Sequence, residues 1–73
     1  MERVFEHNGD ICRIDARLDD GVWHVRAMRG KKILCQAGRV PKTYRLDAEA
    51  LGGLDPLEAM VDTYEARIRS GDL

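Results

Sequence analysis

The chain predicts an α+β domain, a small antiparallel β-meander of three to four strands with one C-terminal helix packed on one face. Three observations predict it. Asn8-Gly9 and Asp20-Gly21 are two-residue turn pairs suited to type I′ hairpins, whose central positions both take positive φ. Residues 11 to 28 alternate apolar and polar on either side of the second turn. Asp55-Pro56 then opens a stretch in which apolar residues recur at helical spacing.

The hairpin over residues 11 to 28 organises the rest. Its turn sets Asp19 opposite Val22, Leu18 opposite Trp23, Ala16 opposite Val25, Ile14 opposite Ala27 and Cys12 opposite Arg29. One face is therefore apolar nearly throughout. The other pairs Arg17 with His24, Asp15 with Arg26 and Arg13 with Met28, so Asp15 meets a base across the strand gap. A slip of one residue would turn every one of these side chains to the wrong side.

Glu2 to His7 reads as the first strand, entering the sheet through Asn8-Gly9. That turn sets Phe5 opposite Cys12 on the apolar face. Arg3 falls opposite Ile14 on the same face and must reach past the sheet rim. After Met28, a three-residue loop Arg29-Gly30-Lys31 leads into a strand over residues 32 to 37, with Ile33 opposite Ala27 and Cys35 opposite Val25. A two-residue loop would place Leu34 on the core face instead. Pro41 cannot donate to a ladder and marks an edge or a connecting turn. Residues 42 to 46 are expected as a short extra strand. Asp47 is expected to cap a single helical turn over residues 48 to 51, which Gly52-Gly53 would end.

The last element is the clearest helix, from Pro56 to Ser70. Asp55 is a good N-cap, Pro56 suits the first helical position and Glu58 gives an acidic variant of the capping box. Leu57, Met60, Val61, Tyr64 and Ile68 make one apolar stripe, which should cover the apolar sheet face. Small side chains along the middle of that face would admit the helix closely between the bulkier Phe5, Leu18 and Trp23.

Seventy-three residues make a single domain, residues 1–73, near the size at which one core only just offsets chain entropy. Self-association or a partner subunit would help it. No apolar run approaches the roughly 18 residues a membrane span needs, and the first residues lack a signal-peptide core, so the chain is expected to be cytoplasmic. Cys12 and Cys35 lack CxxC spacing and fall about 10 Å apart, two strands away in the meander, too far for a disulfide.

The net charge of −1 hides a strong asymmetry. Residues 26 to 45 carry seven bases and no acid, whereas seven acids stand against two bases from Leu46 onward. Two interaction surfaces follow. On the C-terminal helix, Ala59, Thr63, Ala66 and Ser70 form a small-residue stripe able to admit another helix or a twin subunit, beside an acidic stripe of Glu58, Asp62 and Glu65. The alternative is a nucleic-acid surface made of Arg13, Arg17, Arg26, Arg29, Lys31, Lys32, Arg39, Lys42 and Arg45, with Tyr44 able to stack. The bland reading of those bases is protection of an edge strand, or neutralisation by the acidic helix. In element order, a small antiparallel sheet followed by a helix, the chain resembles the arm-type DNA-binding domains of tyrosine recombinases and AP2-like domains. It matches none of their motif residues, so none of their functional residues is carried over.

Metal and catalytic chemistry find little footing. His7, His24, Cys12 and Cys35 are the only His and Cys side chains, and no two have finger-like spacing. Gly52-Gly53 lacks the Lys-Ser/Thr of a phosphate loop, and the one serine, Ser70, lies at a helix end. The expectation is a non-enzymatic, cofactor-free and metal-free module that binds a protein partner or itself, with nucleic acid as the alternative.

Overall fold

A computed structural model describes all 73 residues. Strands β1 (Glu2–His7), β2 (Asp10–Asp19), β3 (Val22–Arg29) and β4 (Lys32–Pro41) are followed by helices α1 (Lys42–Leu51) and α2 (Pro56–Ser70). The strands form one antiparallel sheet in the order β1-β2-β3-β4. The fold is therefore α+β, with a β-meander and one helix more than the sequence predicts.

Turn chemistry sets the first three strands. Asn8, Gly9, Asp20 and Gly21 all have positive φ, as both central positions of a type I′ turn require. The register follows as predicted, with Phe5 opposite Cys12, Ile14 opposite Ala27, Ala16 opposite Val25 and Arg17 opposite His24. Arg3 does reach past the rim. Its Nη1 donates to Asp62 Oδ1 at 2.6 Å and to Glu65 Oε1 at 3.2 Å, tying β1 to α2.

The β3–β4 hairpin departs from the expected three-residue loop. Arg29 pairs with Lys32 across a two-residue turn, Gly30-Lys31, in which Gly30 alone takes positive φ. Gly30 N–H is also drawn to Ile11 O of β2 at 2.8 Å, which favours the tighter turn. From there β4 gains two extra residues on β3: Met28 faces Ile33, Ala27 faces Cys35 and Val25 faces Gly38. Cys35 thus stands opposite Ala27 rather than Val25, and Ile33 turns to the solvent face, 45% exposed. The bulges let Leu34 and Cys35 both pack partly against the core, which neither regular register allows.

Residues 42 to 46 are helix rather than strand. Pro41 ends β4 with φ −57° and ψ 139° and serves as the N-cap of α1, and Asp47 lies mid-helix instead of capping a single turn. Helix-forming Arg45, Leu46, Ala48, Glu49, Ala50 and Leu51 outweigh the strand preference of Thr43 and Tyr44. Gly52 ends the helix in the left-handed conformation, as its sequence position suggests.

Helix α2 begins as expected, with Asp55 accepting from Leu57 N–H. It buries Leu57, Val61, Tyr64 and Ile68 against Cys12, Ile14, Ala16, Val25, Ala27 and Val40. The closest approach is at Gly38, beside Val25 in the row that runs on to Ala16. A Cβ there would lie 2.5 Å from Tyr64 Oη, 2.8 Å from Met60 Sδ and 3.1 Å from Val25 Cβ. Gly38→Ala should accordingly lower stability by about 1–3 kcal/mol through overpacking, read as a fall in thermal midpoint. Val4→Ala on the open face should leave the midpoint nearly unchanged.

Candidate functional site

Helix α1 is unusual for so small a domain, because it buries none of its ten residues. Tyr44 is 60% exposed, Leu46 59%, Leu51 87% and Leu54, just beyond the helix, 90%. Tyr44, Ala48 and Leu51 share one flank at i, i+4, i+7 spacing. Lys42, Leu46 and Glu49 share the other. A helix this short is marginal in water by itself.

Polar contacts hold it in place. Lys42 N–H donates to Gly21 O of the β2–β3 turn at 2.9 Å. Arg45 grips Asp55 with two hydrogen bonds, Nε to Oδ1 at 3.1 Å and Nη2 to Oδ2 at 2.8 Å, and its guanidinium lies 5.1 Å from the centroid of the Trp23 ring. Asp55 therefore has two tasks: it caps α2 and anchors α1. The Arg45 hydrogen bonds, aided by the Leu57 N–H, hold its carboxyl below the ordinary value of 3.8. Beside Trp23, Arg45, Leu46 and Glu49 runs an open groove of about 560 Å³.

The small-residue stripe predicted on α2 is solvent-exposed along its whole length at Ala59, Thr63, Ala66 and Ser70. Its two hydroxyls are engaged by the helix itself, Thr63 Oγ1 donating to Ala59 O at 2.9 Å and Ser70 Oγ to Arg67 O at 3.1 Å. The stripe thus presents methyl groups and backbone rather than free polar partners. Among the neighbouring acids, Asp62 and Glu65 are engaged by Arg3, and Glu65 also by Arg69.

The nine bases of the alternative surface do not come together on one face. Register places Arg13, Arg17, Arg26 and Arg39 on the open face of the sheet, opposite the helices. Arg29 and Lys32 pair with each other on the helix-covered face, Lys31 stands in the turn, and Lys42 and Arg45 lie on α1 with Tyr44. Several are matched by acids: Arg13 by Glu2 at 3.5 Å, Arg26 by Asp15 at 3.0 Å, Arg29 by Asp10 at 3.9 Å and Arg45 by Asp55. Arg45 alone of this segment reaches the acidic helix, at its cap. No ion pair engages Arg17, Lys31, Lys32, Arg39 or Lys42.

His7, His24, Cys12 and Cys35 are dispersed. His24 is on the open face and Cys12 is fully buried on the other. Both cysteines are free thiols. Cys35 Sγ lies 3.5 Å from Tyr64 Oη, and that contact, with the Ala37 backbone and Arg67, favours the thiolate and holds the Cys35 thiol below its ordinary value. Burial, with the same contact, pushes the Tyr64 phenol up to about 12.

Comparison with protein-family models, curated proteins and solved structures gives no match, so the surfaces are read from this chain's own chemistry. Sequence reasoning misses α1 as a surface because it expects residues 42 to 46 as a short strand after the edge or turn that Pro41 marks. The signal was present in the Tyr44, Ala48, Leu51 spacing.

Two measurements follow from these contacts. Asp55→Asn keeps a cap but loses the ion pair with Arg45. Asp55 in the folded protein stays ionised below the value of the unfolded chain, so its stabilisation is present above about pH 4 and is lost as pH falls through the lowered folded value. The variant should melt a few degrees below the parent at pH 6, about 0.5 kcal/mol after solvent screening, and the difference should shrink as the pH falls below about 4. Iodoacetamide should label Cys35 well before the fully buried Cys12, as peptide mapping would record.

Proposed function

We propose that the protein is a small non-catalytic interaction module that associates through α1, with a second copy of the same chain as its partner. The observation that carries this reading is a helix with no buried residue and three exposed large apolar side chains, Tyr44, Leu46 and Leu51, with Leu54 exposed just beyond it. Keeping such side chains in water forgoes burial worth about 1.5–3 kcal/mol for each leucine, and the domain's own core numbers only ten residues.

Charge complementarity supports a twin as the occupant. On one flank of α1, Lys42 near the start and Glu49 near the end bracket Leu46. When two such helices cross antiparallel on a two-fold axis, Lys42 of each meets Glu49 of the other and the two Leu46 side chains meet at the centre. The groove beside Trp23 has room for an apolar side chain from the twin. A ten-residue helix is only about 15 Å long, so the contact is small and the dimer weak, dissociating in roughly the micromolar range or above.

Sedimentation velocity across a concentration series from about 1 µM to 1 mM tests the reading. The parent should pass from monomer to dimer, and Leu46→Glu should stay monomeric throughout. Lys42→Glu should weaken the dimer, and adding Glu49→Lys should restore it, which a loss of folding could not mimic. A parent that stays monomeric at 1 mM would refute self-association. Loss of the dimer in Ala66→Glu, with none in the leucine variant, would move the contact to the small-residue stripe of α2.

A further inference from the structure

The open face of the sheet is ordered in cross-strand rows. Val4, Arg13, Met28 and Ile33 make one, and Glu2, Asp15 and Arg26 begin the next. The row after that is Arg17 on β2, His24 on β3 and Arg39 on β4. Its three members are all basic and all exposed. Arg13 is paired with Glu2 of the adjoining row and Arg26 with Asp15 of its own, but no ion pair engages any member of this one. Arg17 and Arg39 flank His24 with no counter-charge in their own row.

We infer that the row Arg17–His24–Arg39 is a binding site for the phosphate backbone of a nucleic acid. Adjacent strands lie about 4.8 Å apart, so the row spans about 10 Å in a straight line on an uncovered face. Successive phosphates of one strand rise about 3.4 Å along the duplex axis but also wind around it, so they stand further apart through space, and the two arginines at the ends of the row can meet separate phosphates. A single carboxylate would engage only part of the row. The linear array of unpaired donors favours a polyanion of regular spacing. His24 sits between Arg17 and Arg39, with Arg26 and Val22 beside it on its own strand and Asp15 and Asp19 diagonal to it on β2. Asp15 is already engaged by Arg26, and Asp19 stands at the end of β2.

The test is fluorescence-anisotropy binding to a random DNA duplex at salt from about 50 to 200 mM. Two phosphate contacts, one from each arginine, should cost about 12-fold in affinity over that range, a slope of about −1.8 in log affinity against log salt. Arg17→Ala with Arg39→Ala should flatten the slope to near zero and leave the thermal midpoint in place, since both side chains are exposed. Anionic vesicles of phosphatidylserine and inorganic phosphate are the competing arms. No binding to the duplex at 50 mM salt, an unchanged slope in the double variant, or equal binding to vesicles would overturn the assignment.

Discussion

The close seating of α2 on the row Ala16–Val25–Gly38 is the constraint on which the rest of the structure depends. Small side chains let Tyr64 and Met60 come down onto the sheet until there is no space for one more methyl group at Gly38. The apolar stripe of α2 then buries Leu57, Val61 and Ile68 almost completely. Without that contact the sheet would be a bare meander with one apolar face in water. The two bulges in β4 belong to the same constraint, since they bring Gly38 opposite Val25 while Leu34 and Cys35 both lean inward.

Long basic side chains complete the cover at the edges of that small core. Arg3 crosses from β1 to Asp62 and Glu65, Arg69 lies 4.7 Å from the centroid of the Phe5 ring, and Arg45 spans Trp23 and Asp55. In each case an aliphatic stem or a planar guanidinium covers apolar surface and its charge finds an acid. The segregation of bases and acids along the chain is thus partly resolved within the fold, more by pairing across neighbouring strands than by the acidic helix facing the basic segment.

What this internal pairing leaves over is the ground of both proposals. Apolar area remains on and just after α1, at Leu51 and Leu54. Unpaired basic side chains remain on the open face, where Arg17, His24 and Arg39 stand in line. The two lie on different elements, one apolar and one basic. A module that held itself as a weak dimer through α1 would carry two basic rows on one particle, and two linked sites bind a long polyanion more tightly than either alone.

Local chemistry made much of the fold legible in the sequence. Asn8-Gly9 and Asp20-Gly21 admit few turns, each turn dictates a register, and period-two alternation selects the face, so β1, β2 and β3 could be paired residue by residue. Asp55, Pro56 and the apolar stripe likewise marked α2 and its buried side. The basic row was legible only in part: the opposition of Arg17 and His24 followed from the turn, but Arg39 joined them through bulges that no local signal marks. Tertiary structure alone decided the β3–β4 register, because a Gly-Lys turn permits more than one loop length and the packing of Leu34, Cys35 and Gly38 under α2 chose among them. It also decided α1, whose start depends on a hydrogen bond from Lys42 to the distant Gly21 and whose hold depends on Arg45 meeting Asp55. Such contacts join residues far apart in the chain, and they exist only once the sheet and α2 have brought them together.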